Sequence, residues 1–322
     1  MARSVSGIEI AEKWREDTCA SVRMYNDWFM RFAPKTYIDE KINAEKSIQV
    51  AMNQTNNFIN LSHELLIANP TAIEMIRMAT TPPLASDRLM GLAEVPSSVM
   101  DSLENGRLPP KMSKENLEKH LKSIVCIIAK LLDKQLMPWL DSEVSPSEEQ
   151  IQIAKMVLSD RLCASYAGPI IRNAQEARQF NCIRKYLERK KYVEVESVND
   201  FRKMEHGTFS FHVDVPVSKG KRKVHMPIDV VIMPKKAKKG ELPLLVECKS
   251  AGDYANVNKR RKEESEKMSC LIATYGDEIR KRKLFKLFLC GYFNNAYLSF
   301  EADSGIDWIW EHKVEDFGVA GV

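Results

Sequence analysis

Apolar residues follow two different periods along this chain, and the change comes near residue 165. Ahead of it the spacing is helical: Ile8, Trp14, Val22, Trp28 and Phe29 stand among charged residues at roughly helical intervals. A second helical stretch is expected from about Glu40 to Ala68, ending before Pro70. Pro82, Pro83, Pro96, Pro109 and Pro110 break residues 80–110 into loops and short helices. Ser113 starts a strong helix, KENLEKHLKSIVCIIAKLLDKQL, and Ser145 to Leu162 gives another with Pro146 near its first turn.

Beyond residue 165 helical and alternating segments mix. Pro169 to Lys191 reads as a long amphipathic helix. TFSFHVDVPV (Thr208 to Val217) alternates and is rich in β-branched and aromatic residues, which marks a strand, and VHMPIDVVIM (Val224 to Met233) is a second. A Lys-rich turn, Pro234 to Pro243, leads to LLVECK (Leu244 to Lys249), apolar enough for the middle of a sheet. A polar helix from about Val257 to Tyr275 precedes a fourth strand, Lys286 to Phe293, and a fifth over Ala296 to Glu301. Trp308, Trp310 and His312 alternate as on a further strand, which suits core packing. The order helix, three strands, helix, strand predicts an α/β fold, a central mixed sheet flanked by helices, after a large helical N-terminal region. The expected domains are residues 1–165 and 166–322.

With 44% hydrophobic and 29% charged residues, the chain has enough apolar mass for a packed core beside a solvated surface. Its net charge of +4 is unevenly spread: residues 166–322 carry 29 Lys and Arg against 22 Asp and Glu, and residues 1–165 carry 19 against 22. A basic half fits a polyanionic partner, and it equally fits an ordinary solvated surface. The seven cysteines form no CxxC pair, which argues against a zinc knuckle or a disulfide framework and for reduced, mostly buried thiols. MARSVSGIEIAEKW has no apolar core of a secretory signal, and the longest apolar stretch, Ser123 to Leu132, is short and broken by Lys130. A cytoplasmic location and no membrane partner are expected. No glycine-rich phosphate loop is present, so nothing points to ATP-driven translocation.

The candidate chemistry lies in the strands. Asp229 sits in Pro227-Ile228-Asp229, and eighteen residues on the next strand ends in Glu247-Cys248-Lys249. Glu247 and Lys249 are two apart and share a strand face. Asp229 reaches that face if the two strands pair through the Lys-rich turn. Two carboxylates and an ammonium then converge at a sheet edge. Magnesium takes oxygen ligands and keeps several waters, so Asp229, Glu247 and the main-chain carbonyl of Cys248 suffice to hold it. Lys249 would hold the attacking water or stabilise the phosphate charge of a phosphodiester being cut. A surface salt bridge would use the same residue types, but here all three follow apolar strand residues, where a charge is costly without a purpose.

Those residues in that order resemble the PD-(D/E)XK nuclease core, with one residue inserted between Pro227 and Asp229. VECKSAGDYANVNKRRKEE (Val246 to Glu264), GIDWIWEH (Gly305 to His312), RNAQEARQF (Arg172 to Phe180) and DRLMGLA (Asp87 to Ala93) resemble the XamI group of type II restriction endonucleases. The resemblance implies Mg2+-dependent cleavage of double-stranded DNA at a short, near-palindromic site by a homodimer in a bacterial cytoplasm, with a methyltransferase as functional counterpart rather than subunit. It also implies a further acidic residue on the helix before the first strand. Glu176 is the candidate, and an intrahelical pair with Arg172 or Arg178 is its plainer reading. Glu263 or Glu264 would be the source if the acid came from the helix after Lys249.

Asn256, Asn258, Lys259, Arg260 and Arg261 closely follow the catalytic strand, and Arg172 shares the helix of Glu176. Asn matches adenine edges and Arg guanine edges in the major groove, so these are the candidate DNA contacts. His206, His212 and His225 show no plausible metal-ligand spacing along the chain. Other readings are a repair or junction-resolving nuclease of the same core, a non-catalytic DNA-binding protein on that scaffold, and a helical adaptor whose acidic first half is the working part.

Overall fold

The computed structural model describes residues 7–142, 144–220, 222–238, 240–253 and 257–322, with the backbone alone at 7–9 and 257–260. In chain order the helices that open it are α1 (Gly7–Gln54), α2 (His63–Ala68), α3 (Ala72–Met78), α4 (Ser86–Ala93), α5 (Ser97–Glu104), α6 (Lys114–Leu131) and α7 (Glu148–Arg189). There follow β1 (Val193–Glu194), β2 (Thr208–Lys219), β3 (Arg222–Met233), β4 (Leu244–Ala251), α8 (Val257–Tyr275), α9 (Glu278–Lys281), β5 (Phe285–Gly291), α10 (Asn295–Asp303) and β6 (Asp307–Trp310), then a 3-10 segment over Glu311–Gly318.

The chain divides into two compact units, residues 33–171 and residues 1–32 with 172–322. The boundaries drawn from sequence, 1–165 and 166–322, group the first 32 residues differently. Those residues join the sheet-bearing unit through side chains that the helical pattern does not reveal. Thr18 donates to the Phe293 carbonyl at 2.7 Å, Ser21 Oγ accepts the Gly291 N–H at 2.7 Å, and the Trp14 and Trp308 rings meet edge to face at 5.3 Å. Both passages between units fall beside a proline inside a long helix, Pro34 in α1 and Pro169 in α7.

Residues 33–171 form a helical unit around one apolar core that includes Ile48, Met52, Phe58, Leu66, Ile76, Leu121 and Leu158. Ser113 caps α6 by accepting the Asn116 N–H. Arg161 ties the layers together, pairing with Asp133 at 2.8 Å and donating to the Met78 and Thr80 carbonyls.

The other unit is built on one mixed sheet in the order β1-β2-β3-β4-β5-β6, with β2, β3 and β4 antiparallel and the remaining pairings parallel. α8 and α10 contribute Met268, Leu271, Tyr297 and Leu298 to the core that also holds Leu245, Leu287 and Leu289. On the other face α7 contributes Phe180, Ile183, Tyr186 and Leu187, beside Val246 and Phe288. The expected mixed sheet flanked by helices is thus present. Several expectations fail locally, among them the single helix over residues 40–68, which is divided between α1 and α2. Residues 296–301 form no strand: they belong to α10, whose N-cap Asn294 accepts the Tyr297 N–H at 2.9 Å. The two helices expected at 145–162 and 169–191 are one, because packing on both sides of Pro169 outweighs its missing N–H. Two cysteines are buried, Cys163 and Cys290, while Cys19 and Cys126 are exposed, and all seven are free thiols.

Candidate active site

The site begins at an irregular rung of the β2–β3 hairpin. The register is constant along it, with Phe211 opposite Val230 and Val213 opposite Ile228, which sets His212 across from Asp229. Yet the faces exchange there. On β3, Met226 and Ile228 belong to the core under α8, whereas Val230 and Ile232 belong to the core under α7. On β2, Val213, Val215 and Val217 lie on the first side and Phe209 on the second. A regular strand would keep residues two apart on one face. His212 supplies the turn: its φ is 52°, in the left-handed region that non-glycine residues rarely enter. The same rung marks where the hairpin changes from buried on both faces to alternately buried and exposed.

β4 arrives antiparallel beside β3, paired from Ile232↔Leu244 to Val230↔Val246. Past that pair the ladder gives way to a side chain: Asp229 Oδ2 accepts the Cys248 N–H at 2.7 Å. The N–H and C=O of one strand residue point to the same edge. The Cys248 carbonyl therefore also turns toward the gap that Asp229 occupies. Glu247 and Lys249 point to the opposite face from Cys248, along with Leu245.

On that face α8 meets them. Glu247 is 2% exposed, and its carboxylate lies 3.5 Å from Lys249 Nζ and 2.7 Å from Lys267 Nζ, which also donates to the Pro227 carbonyl. Burial, reinforced by the charge of Asp229, raises the Glu247 carboxyl above the ordinary carboxylate range. Lys249 Nζ is 3.2 Å from Glu264, which is fully buried. Burial pulls the Lys249 ammonium down, but Glu247 and Glu264 overcome it and leave its pKa raised. Under Glu264 lies Glu301 of α10, also fully buried and pushed up to about 8 by burial and then by the Glu264 charge. The result is a buried series of alternating need, in which one lysine serves two acids.

α7 closes the other side. Gln179, 1% exposed, donates to the Phe288 carbonyl at 3.0 Å and to the Lys249 carbonyl at 3.4 Å, so it fixes the end of β4. Arg178 points away from Glu176 to Glu311 at 3.2 Å, with its guanidinium 4.7 Å above the Trp28 ring. Glu176 is exposed, and one carboxylate oxygen of it, one nitrogen of His212 and one oxygen of Asp229 lie within 4.8 Å of one another.

The donor set fits a hard divalent cation. Burial and then the charge of Asp229 make ionised Glu247 costly without a cation, the Cys248 carbonyl faces the same gap, and all the donors are oxygens. A cavity of about 740 Å3 lies elsewhere in this unit, beside Lys236, Arg282 and Asp307. A duplex needs an open face rather than an enclosed chamber, so that separation does not displace the site.

Of the residues expected from sequence, Asp229, Glu247, Cys248 and Lys249 converge, and Glu176 stands at the same rung. Glu264 is present as a partner of Lys249 and not at the cation gap, while the side chain of Lys267, which sequence reading passed over, reaches Glu247. His212 shows no ligand spacing along the chain, yet the hairpin places it across from Asp229. Arg172 is exposed one helical turn before Glu176, and Arg261 lies 5.3 Å over the Phe300 ring. Asn256 and the side chains of Asn258, Lys259 and Arg260 lie outside the described residues. Trp310 packs in the core as expected, but His312 is in the 3-10 segment beside Asp17, not on the strand. Among the described residues, no helix is long and apolar enough to cross a membrane.

The family model described as XamI restriction endonuclease matches residues 56–310, a span that includes every residue of this site. The chain is 41% identical over 311 residues to the type II restriction enzyme SalI of Streptomyces albus G, covering 96% of this chain and 97% of that enzyme. It is 26% identical over 114 residues to the type II restriction enzyme XamI of Xanthomonas campestris pv. amaranthicola, covering 35% and 38% of the two chains. No solved structure matches. By the match over most of its length and by near-complete alignment with a type II relative, the chain belongs to the XamI restriction endonuclease family.

Proposed function

We propose that this restriction endonuclease hydrolyses phosphodiester bonds of double-stranded DNA at a short, near-palindromic sequence, with Mg2+, as a homodimer. The observation that carries the chemistry is the convergence of Asp229, Glu247 and the Cys248 carbonyl on one gap with Lys249 beside it. Asp229, Glu247 and the Cys248 carbonyl would hold the ion, which neutralises charge on the phosphate and acidifies a water. Lys249, anchored by Glu264, presents its ammonium to the phosphate oxygens as negative charge builds on them. The Cys248 N–H keeps Asp229 in its rotamer, and Gln179 keeps β4 from shifting. Glu176 stands beside Asp229 on the α7 side and is assigned to the approach of the incoming water. The water oxygen becomes bonded to phosphorus as the ester P–O bond breaks, and the departing alkoxide takes up a proton.

Arg172, Asn256, Asn258, Lys259, Arg260 and Arg261 are assigned to DNA, the arginines and asparagines at base edges and the remainder at phosphates. Two sites related by a two-fold axis would cut both strands of a near-palindrome, because protein symmetry matches that of the sequence. The helical unit would add DNA contacts, dimer surface or both. An enzyme of this kind requires a methyltransferase that protects the same sequence in the host's DNA.

The test is digestion of a long phage DNA by the purified protein with and without Mg2+. Discrete fragments only with Mg2+, with ends of one sequence, are the expected result. A smear would overturn sequence specificity. Cleavage of branched DNA alone would move the protein to a junction-resolving role.

A further inference from the structure

We propose that Glu176, His212 and Asp229 form a second cation position, which takes a first-row transition ion such as Mn2+ through one imidazole nitrogen and two carboxylates. The proposal deepens the metal-dependent reading above, with which it shares Asp229.

The geometry comes first. One donor atom from each residue lies within 4.8 Å of the others. Ligands about 2.1 Å from a common ion stand roughly 3–4 Å apart, so small rotations about side-chain bonds bring these three onto one centre. Glu176 and His212 are exposed, which leaves the position open to ions from solvent. The Cys248 N–H takes Oδ2 of Asp229, and the carboxylate retains its other oxygen and further lone pairs for a ligand.

The imidazole is held. Phe180 of α7 packs edge-on against the His212 ring, with centroids 4.9 Å apart and planes at 81°. The φ of 52° at His212 is a conformation that a residue with a Cβ seldom adopts. The same backbone turn exchanges the faces of both strands and so brings the histidine to the Asp229 rung.

The donor chemistry separates this position from the other. Asp229, Glu247 and the Cys248 carbonyl offer oxygen alone, which suits Mg2+. Replacing one oxygen by an imidazole nitrogen shifts preference toward Mn2+, Co2+ or Zn2+. The enzyme would then hold two ions of different hardness on either side of one aspartate.

The test uses Mn2+ as the probe on the full chain, with pulsed EPR reading the modulation that a directly bound 14N imposes on the ion. Native protein with equimolar Mn2+ is expected to show it. H212N should lose it and bind Mn2+ at least tenfold more weakly; asparagine tolerates a positive φ, so the hairpin is preserved. E176Q serves as a second variant, expected to keep the nitrogen signal and lose affinity. Mn2+ bound without 14N modulation, modulation unchanged in H212N, or no Mn2+ binding at millimolar concentration would overturn the proposal. Absence of Mg2+-dependent DNA cleavage would instead overturn the nuclease reading, so the two failures are told apart.

Discussion

Two groups of polar side chains flank the Asp229 rung, and they are built in opposite ways. On the α8 side Glu247, Glu264 and Glu301 are buried around Lys249. On the α7 side Glu176 and His212 are exposed. A buried charge holds a fixed position because leaving its partner strands it in a poor solvent, and it carries a desolvation cost for that precision. An exposed charge costs little and stays available to whatever arrives. The buried group is thus suited to aiming one ammonium, and the exposed group to meeting ions or DNA.

The comparison breaks first at Lys249. If the buried group exists to aim it, K249A loses roughly a thousandfold or more in cleavage rate, the cost of a removed transition-state charge partner and of an acid left without its cation. DNA binding measured in Ca2+ should survive. Retained cleavage would remove Lys249 from the chemistry and make the buried series purely structural. E264Q is the next largest effect. It keeps the volume and removes the charge that holds Lys249 from below, and cleavage should fall about ten- to a hundredfold with Ca2+-supported DNA binding unchanged. A rate equal to the native one would show that Glu247 alone aims the lysine.

The two groups were unequally visible in the sequence. Asp229, Glu247 and Lys249 could be placed together because two strand segments and the turn between them are local, and strand parity gives the shared face. Glu301 and Lys267 reach the site from α10 and α8, and nothing in their local patterns distinguishes them from solvated helix residues. A strand over 296–301 conceals Glu301 further, and the signal for the helix instead is the cap at Asn294. His212 was missed for a different reason. Spacing along the chain does not mark it, because its partner Asp229 lies across a hairpin and a backbone turn at His212 itself. The sheet and its flanking helices were legible, since burial writes strand and helix periods directly, but the union of α7 through Pro169 depends on packing on either side of it.

A third prediction concerns stability. Glu301 in the folded protein has its pKa pushed up to about 8, against an ordinary 4.5. The folded chain therefore keeps a proton that the unfolded chain releases above about 4.5. Stability is full below that value and falls as the pH rises toward 8. E301Q removes the titration, and its advantage over the native protein should grow by about 4 kcal/mol between pH 5 and pH 9. Thermal melts at the two ends check it: the Tm advantage of E301Q should be larger at pH 9. An advantage independent of pH would mean that Glu301 is ionised throughout, and the buried group would hold one further charge.

The smallest effect is expected at Lys267, where the two groups come closest in kind. Its ammonium lies 2.7 Å from Glu247 yet remains partly open to solvent, with 23% of the side chain exposed. It stands where it would repel a cation held by the same carboxylate. Two outcomes of K267M are distinguishable. If Lys267 competes with the ion for Glu247, its removal lowers the Mg2+ concentration for half-maximal cleavage about threefold, a modest change because solvent screens part of the repulsion. If it instead keeps Glu247 ionised and in place, the requirement rises. The first result is expected, because Asp229 and Cys248 fix the gap without it and Lys249 already supports Glu247 from the other side. A rise would assign Lys267 to the aiming group, and the division between a buried scaffold and an exchangeable surface would then run through α8 itself.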